Sequence, residues 1–332
     1  MTLTLSPWWL LLAAVPILWL GEAVVRRGPI LARFNIPVPV VGGLLCAGAV
    51  LLLSGGGIIT IVWQTKVTAG WWTWLVTPEP QWALRPAKNV NLPLLVGFFT
   101  CVGLRAPVRL LRAGGWALVV LLGGATVLAV VQNAVGIAVA HLLHAPPALG
   151  VVCGALTLVG GHGTALGFVP RLEEAGFSAA AATGAAAATF GLVAGGLLAG
   201  PVAEWLLRRR DRRLMVAATP SSSRAALNIA CFTDDVRGLC RHGLSAAGHL
   251  LLVAGCIKFG AWLSFGLDQA GASLPAYMGA LLVGFVLRAA HDATGGAWLN
   301  EAVVERIAAL LLALFLAVTL AAINLGELVT VA

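Results

Sequence analysis

Charged side chains are scarce in this sequence. Only 10% of its 332 residues are charged and 60% are apolar, whereas about 25% of the residues of a soluble domain are charged. An ordinary soluble protein is therefore excluded. The alternation of apolar and polar residues that marks a membrane β-barrel is also missing. What remains is an all-α polytopic membrane protein, and the mean hydropathy of +0.95 agrees with this class.

Motifs for covalent chemistry are missing as well. The sequence has no Walker loop, no nucleotide-binding fingerprint and no recognisable set of nucleophile, base and oxyanion donors. Its six cysteines include no Cys-x-x-Cys pair, so they are interpreted as small packing residues or inert loop thiols. The sequence therefore predicts neither an enzyme nor an ATP-driven pump.

Long apolar runs predict eight membrane spans, because each crosses or nearly crosses a hydrocarbon core of about 30 Å. The aromatic-rich segment between spans two and three is predicted to be a loop at the membrane interface. The predicted spans are Trp8–Val25, Val40–Leu53, Leu92–Leu104, Trp116–Leu143, Ala185–Leu207, His249–Leu267, Pro275–Arg288 and Ile307–Leu325.

A short apolar segment interrupted by glycines lies between spans four and five. Residues 148–170 are too short to cross the membrane twice and contain Gly160-Gly161-His162-Gly163-Thr164 near their centre. Such a segment is predicted to be a re-entrant hairpin, which membranes tolerate only where protein or a water-filled cavity surrounds the bare backbone.

The arginines predict the orientation of the chain. With the N-terminus outside, most arginines fall on the cytoplasmic side, as the positive-inside rule requires. The densest group, between Arg208 and Arg213, directly follows a span and begins a polar cytoplasmic linker predicted at 208–247. A role in nucleic-acid binding is therefore not expected.

The two ends of the chain repeat each other. Aligning Pro39 with Pro275 places Gly43 on Gly279 and matches spans one to three with spans six to eight. Because an odd number of spans separates them, the second copy must be inverted, as in secondary transporters. The predicted organisation is a first repeat at 1–207, the linker, and an incomplete second repeat at 248–332.

Five motifs in a fixed order resemble those of the bacterial sodium/glutamate symporter family. They are Asn35–Leu44, Leu110–Gly115, Val131–Gly136, Gly160–Thr164 and Ala188–Val193. The resemblance implies an inner-membrane permease of two inverted repeats that takes up L-glutamate with sodium and forms a homodimer. Composition alone is equally compatible with proton coupling, and with aspartate or another dicarboxylate as the substrate.

The glycine-rich motif contains the first candidate site residues. Glycines free backbone amides that can hold a substrate carboxylate and backbone carbonyls that can bind sodium. The alternative is a structural turn between packed helices, and the histidine could bind a carboxylate or anchor the hairpin. The predicted substrate-binding residues here are Gly160, Gly161, His162, Gly163 and Thr164.

Two further groups complete the predicted site. Gln132 and Asn133 lie inside span four and could offer their amides to the substrate, or could form an interhelical hydrogen bond. The sodium ligands are predicted to be Thr157, Gly160 and Thr164, which can supply hydroxyl and carbonyl oxygens.

Other polar residues are interpreted structurally. The Asn35-x-Pro-x-Pro sequence is expected to shape the start of a helix rather than to bind a ligand. Lys258 is predicted to be buried against protein, near Asp268 or another acid, because it lies within span six. Glu22 and Asp268 lie at span ends and are expected to be interfacial.

The incomplete second repeat leaves an alternative function open. One of the two hairpins expected of an inverted-repeat transporter is not present in these 332 residues. The leading hypothesis is sodium-coupled glutamate uptake, and the alternative is a truncated, non-transporting remnant or a partner subunit of such a permease.

Overall fold

The computed structural model describes residues 2–28, 37–55, 60–84, 87–210, 232–271, 275–296 and 298–322. Within them the chain is mainly helical. The helices are α1 (Pro7–Arg27), α2 (Val38–Gly55), α3 (Gly70–Thr73), α4 (Glu79–Leu84), α5 (Leu92–Leu104), α6 (Val108–Leu142), α7 (Pro147–Val151), α8 (Gly161–Glu174), α9 (Ala180–Arg210), α10 (Phe232–Gln269), α11 (Ala276–Thr294) and α12 (Glu301–Ala321). A 3-10 helix covers Trp74–Val76 and a π-helix covers Val152–Leu156.

Four of these helices are long and apolar enough to cross a membrane. Within the described residues these helical segments are Pro7–Arg27, Ala113–Leu142, Phe232–Gln269 and Glu301–Ala321. Shorter apolar helices lie at Val38–Ser54, Leu92–Leu104 and Pro147–Leu156. The prediction of a helical membrane protein is confirmed.

The segment predicted as an interfacial loop contains small regular elements. Strand β1 (Thr2–Leu5) pairs in parallel with β2 (Thr60–Trp63), and β3 (Lys66–Val67) pairs antiparallel with β4 (Lys88–Asn89). Tryptophans from α1 and α3 stack beside these strands, with ring centroids of Trp8 and Trp71 separated by 5.2 Å. Amphipathic aromatic rings are typical of the membrane interface.

Several helices begin earlier than the predicted spans, most clearly α6 and α10. Helix α6 begins at Val108 rather than near residue 116, and Gly115 interrupts its helical geometry at φ 46°. Helix α10 begins at Phe232, inside the predicted linker, and Gly243 interrupts it at φ 34°. Glycine tolerates a positive φ, so a polar helical turn can continue into an apolar one at an angle.

The helices form two groups. In one group, α5, α10, α11 and α12 enclose the largest apolar cluster, and α1 and α2 pack against α12. In the other group, α6 contacts α7 and the π-helix, and α9 contacts α8 and the π-helix. A small cluster of Val40, Ala185 and Leu320 joins the groups.

Candidate functional site

The predicted hairpin contains a helix break. After α7 the chain forms the π-helix, in which Gly154 leaves helical geometry at φ −90° and ψ −138°. The chain then makes a turn, and α8 begins at Gly161, whose φ is +69°. A positive φ is strained for most residues, so glycine at 161 permits the turn. The break lies inside the segment predicted from the sequence.

Asn133 bridges α6 to this break. Its side-chain Oδ1 accepts a hydrogen bond from the backbone N–H of Ala155 at 2.9 Å. The carbonyl of Ala155 in turn accepts the N–H groups of Val159 and Gly160, each at 3.1 Å. One residue of the π-helix therefore links the α6 amide to the first glycine of the motif.

The neighbouring Gln132 has an unmatched acceptor. Its Oε1 is buried and accepts no hydrogen bond from any of the described residues. A buried amide oxygen without a donor costs about 1–3 kcal/mol. Gly154 lies directly against the Gln132–Asn133 backbone, so residue 132 belongs to the part of α6 that packs on the break. An unpaired acceptor beside opened backbone is an arrangement that favours a ligand with N–H donors.

The two threonines of the predicted sodium site differ in their partners. Thr157 is only 2% exposed, and its hydroxyl donates to the carbonyl of Val152 at 2.7 Å. Thr164 forms a side-chain hydrogen bond with Tyr277 of α11. Each hydroxyl oxygen keeps lone-pair capacity after one hydrogen bond. The structure thus places both hydroxyls on or beside the break.

Small residues allow the start of α8 to pack closely on the helix bundle. Gly163 lies against Phe99 of α5, and Gly167 lies against the ring of Tyr277. The rings of Phe99 and Tyr277 stack with centroids 4.2 Å apart. His162 belongs to α8, but its side chain lies outside the described residues, as does Asn35.

Tyr277 is the residue that the sequence analysis missed. It contacts α8 through both the Thr164 hydrogen bond and the Gly167 packing contact. Two signals could have drawn attention to it: it is the only tyrosine of the chain, and it directly follows the start of a predicted span at Pro275.

Lys258 has a different acidic partner from the one named as a candidate. Its Nζ lies 2.9 Å from the Glu79 carboxylate and donates to the carbonyls of Trp74 and Thr77, also at 2.9 Å. The same ammonium lies 3.8 Å from the centre of the Trp74 ring. The expectation of a lysine paired with an acid is met by Glu79 rather than Asp268, and the lysine side chain is partly buried, with 14% exposed. Glu79 comes from the outer segment, the residues between α2 and α5, which packs on α10 through the 3-10 helix.

Glu22 also has a structural role. It is 3% exposed, binds Arg26 at 2.6 Å and accepts the hydroxyl of Thr233 at 2.9 Å. It therefore joins the C-terminal end of α1 to the start of α10. No group of three or more His, Cys, Asp or Glu side chains suited to a metal ion occurs in the part of the chain that the structure describes.

Comparison with known proteins places the chain in one family. The sodium/glutamate symporter family model matches residues 70–332. Sodium/glutamate symporters of Escherichia coli K12 and Shigella flexneri are each 32% identical over 97% of this chain and 73% of their own length. The sodium/glutamate symporter of Haemophilus influenzae is 29% identical over 99% of this chain and 75% of its own length. No solved structure matches the chain. The chain therefore belongs to the sodium/glutamate symporter family.

Proposed function

We propose that this chain takes up L-glutamate together with sodium and holds both at the helix break between Gly154 and Gly161. The chain is a multi-pass protein of the bacterial plasma membrane, and a transporter rather than an enzyme. The observation that supports the location most directly is the buried, unpaired Oε1 of Gln132, a residue whose backbone packs on Gly154 at the break.

The Gln132 oxygen suits the ammonium group of an amino acid. An ammonium group has three N–H donors and no acceptor, so it matches a buried acceptor that lacks a donor. Asn133 keeps the π-helix in place by its hydrogen bond to Ala155, and thereby holds the neighbouring glutamine against the break. In this proposal Gln132 binds the substrate and Asn133 positions the backbone around it.

The substrate carboxylate is assigned to the start of α8. The first N–H groups of a helix lack partners within the helix, and its dipole favours an anion there. Glycines at 160, 161 and 163 allow a ligand to approach this backbone closely. Thr164 and His162 follow within the first turn and are the side-chain candidates for the same carboxylate.

Sodium is assigned to the oxygens on the other side of the turn. The Thr157 hydroxyl, the Gly160 carbonyl and the Thr164 hydroxyl are hard oxygen ligands of the kind that sodium uses in broken-helix transporters. A sodium ion held there lies beside the carboxylate position and attracts it. By thermodynamic linkage, each of the two then raises the affinity of the other.

The helix contacts support the proposed inverted repeat. Helix α2 packs on α1 and α12, and its counterpart α11 packs on α10 and α5. Close glycine contacts occur at both corresponding pairs, with Gly42 beside Ile17 and Gly279 beside Gly260. This interchange of partners is the one expected if α1, α2 and α5 correspond to α10, α11 and α12.

Alternating access follows from the two groups of helices. In our proposal α6–α9 carry the re-entrant hairpin, and they move against the bundle of the other spans. Contacts between the groups are small, such as Gly163 on Phe99 and the cluster of Val40, Ala185 and Leu320. A limited, glycine-lined interface is compatible with such a movement.

Lipid contact and the homodimer are further parts of the proposal. Most side chains of α6 between residues 113 and 142 are not buried by other described residues, although this stretch is strongly apolar. Such a surface needs lipid or a second copy as a neighbour. Mass measurement of the purified protein in lipid nanodiscs distinguishes a dimer from a monomer.

Sodium-driven uptake tests this function. We expect proteoliposomes that contain the purified chain to accumulate labelled L-glutamate when sodium is higher outside, and to stop when potassium replaces sodium. Unlabelled aspartate as competitor tests the substrate, and a proton ionophore tests the coupling ion. A well-folded preparation that accumulates no glutamate would support the non-transporting alternative.

A further inference from the structure

A polar cavity lies away from the helix break, at the outer ends of the helices. Its volume is about 160 Å³, and the outer segment, the end of α8 and the end of α10 form its walls. The positive-inside orientation places all three walls on the outer side of the membrane. The polar residues that line it are Gln81, Arg171, Ser264 and Asp268, and the apolar ones include Val76 and Phe265.

The cavity has a size that suits a small metabolite. One water molecule takes about 30 Å³ of liquid, so the volume equals roughly five waters. This is room for one free amino acid, and not for a nucleotide or a peptide. One wall of the cavity is fixed to the neighbouring helix, since the Ser264 Oγ accepts a hydrogen bond from the N–H of Gly279 at 3.2 Å.

Both signs of charge line this cavity. Arg171 is a permanent cation with a planar donor group suited to carboxylates, and Asp268 is an anion that accepts from an ammonium group. A metal cation alone would be repelled by Arg171, and a phosphate would be repelled by Asp268. A free α-amino acid carries a carboxylate and an ammonium on the same carbon atom and so meets both requirements.

The outer wall of the cavity is held in place by Lys258. This ammonium binds the carbonyls of Trp74 and Thr77 and the carboxylate of Glu79. The wall residues Val76 and Pro78 alternate with these partners along the chain. Lys258 therefore does more than pair with an acid, because its hydrogen bonds fix the outer segment that forms one wall of the cavity.

Helix α8 joins this cavity to the helix break. Arg171 lies ten residues after Gly161 on that helix, which at 1.5 Å per residue is about 15 Å. One rigid element thus presents the cavity at its outer end and the proposed transport site at its inner end. A substrate that leaves the cavity along α8 arrives at the break.

We propose that the cavity is an outer subsite that captures a free α-amino acid before it reaches the helix break. Asp268 accepts the ammonium group, Arg171 binds a carboxylate, and Gln81 adds a hydrogen bond from the outer segment. This inference rests on the proposed glutamate transport and names a second binding position for the same substrate.

The test combines one substitution with two ligands. Glutarate has the two carboxylates of glutamate but lacks its ammonium group. In Asp268→Asn we expect the KM for sodium-driven glutamate uptake to rise about tenfold, as for loss of a hydrogen bond to a charged group. The maximal rate should stay unchanged, and inhibition by glutarate should not weaken, because this dianion has no ammonium group for Asp268 to bind.

The control is Asp234→Asn, which makes the same change at the cytoplasmic end of α10, where the side chain is 67% exposed. It should leave both ligands unaffected. If Asp268→Asn does not reach the membrane, Gln81→Ala replaces it, with an expected rise in KM of about threefold. A wild-type KM in the variant, or an equal loss for glutamate and glutarate, would overturn the subsite.

The same assay separates this inference from the proposed function. Uptake by the wild type together with an unchanged variant would reject the subsite and leave transport standing. No glutamate uptake by a folded wild type would reject the proposed function, and with it the assignment of glutamate to the cavity.

Discussion

Removing the Asn133 side chain is the sharpest perturbation of the helix break. In Asn133→Ala the backbone N–H of Ala155 loses the acceptor that it meets at 2.9 Å. An unsatisfied buried donor costs about 1–3 kcal/mol, while interhelical hydrogen bonds in membrane proteins average about 0.6 kcal/mol in double-mutant cycles. We therefore expect Asn133→Ala to destabilise the backbone around the proposed site by about 1 kcal/mol.

This cost should appear in two measurements. A penalty of about 1 kcal/mol corresponds to roughly a fivefold loss of affinity, so the KM for glutamate should rise by about fivefold in sodium-driven uptake. The thermal transition of the purified protein should fall by about 1–2 °C, the shift that this penalty gives at an unfolding entropy of about 2.1 cal/mol/K for each of the 332 residues.

The matched control lies on the same helix. Thr126 is exposed and its hydroxyl donates to the carbonyl of Leu122 at 2.9 Å, within α6. Thr126→Val removes a polar group without leaving a donor unpaired at the break, so KM and the thermal transition should stay close to wild type. If Asn133→Ala behaves like this control, the hydrogen bond does not hold the site and the reasoning is refuted.

Three further predictions concern packing and charge. Gly150→Ala should abolish uptake, since the added methyl group would meet the Gly136 backbone. Gly123→Ala should be neutral, because beyond its own helix backbone no described atom lies within 4 Å of the added methyl group; uptake rates test both. Lys258→Met should lower the yield of monodisperse protein in size-exclusion chromatography without altering the preference for glutamate over aspartate, and an altered preference would assign the lysine to substrate binding. The Lys258 hydrogen bond holds the pKa of the Glu79 carboxyl below its ordinary 4.5. The pair therefore stabilises the folded protein fully above pH 4.5 and loses this effect as the pH falls through the lowered pKa. The difference in thermal transition between wild type and Glu79→Gln should vanish in acid.

The helices and the helix break could be predicted from the sequence because they depend on local properties. Apolar length bounded by arginines locates α1, and glycine spacing locates the break before α8. Both signals are read from neighbouring residues. The polar extension of α10 back to Phe232 was not predicted, since a hydropathy pattern reports the membrane-spanning part of a helix and not its soluble turns.

Pairings between distant residues could not be predicted in the same way. Lys258 and Glu79 are far apart in sequence, and only the fold of the outer segment brings them to 2.9 Å. The short parallel pairing of β1 with β2 has no signal of its own, because strands of four residues are stabilised by their surroundings. Gln132 and Asn133 were predicted as a pair, yet within the described residues the Asn133 Oδ1 accepts a hydrogen bond and the Gln132 Oε1 does not.

Glutamate binding at controlled sodium tests the central claim, that substrate and ion meet at the helix break. The measurement is the dissociation constant of glutamate for the purified chain, with and without sodium, in wild type, Gln132→Ala and Thr157→Val. We predict that sodium tightens binding in the wild type, that Gln132→Ala loses about tenfold in affinity but still responds to sodium, and that Thr157→Val loses the sodium response. Wild-type affinity and sodium response in both variants would contradict the account.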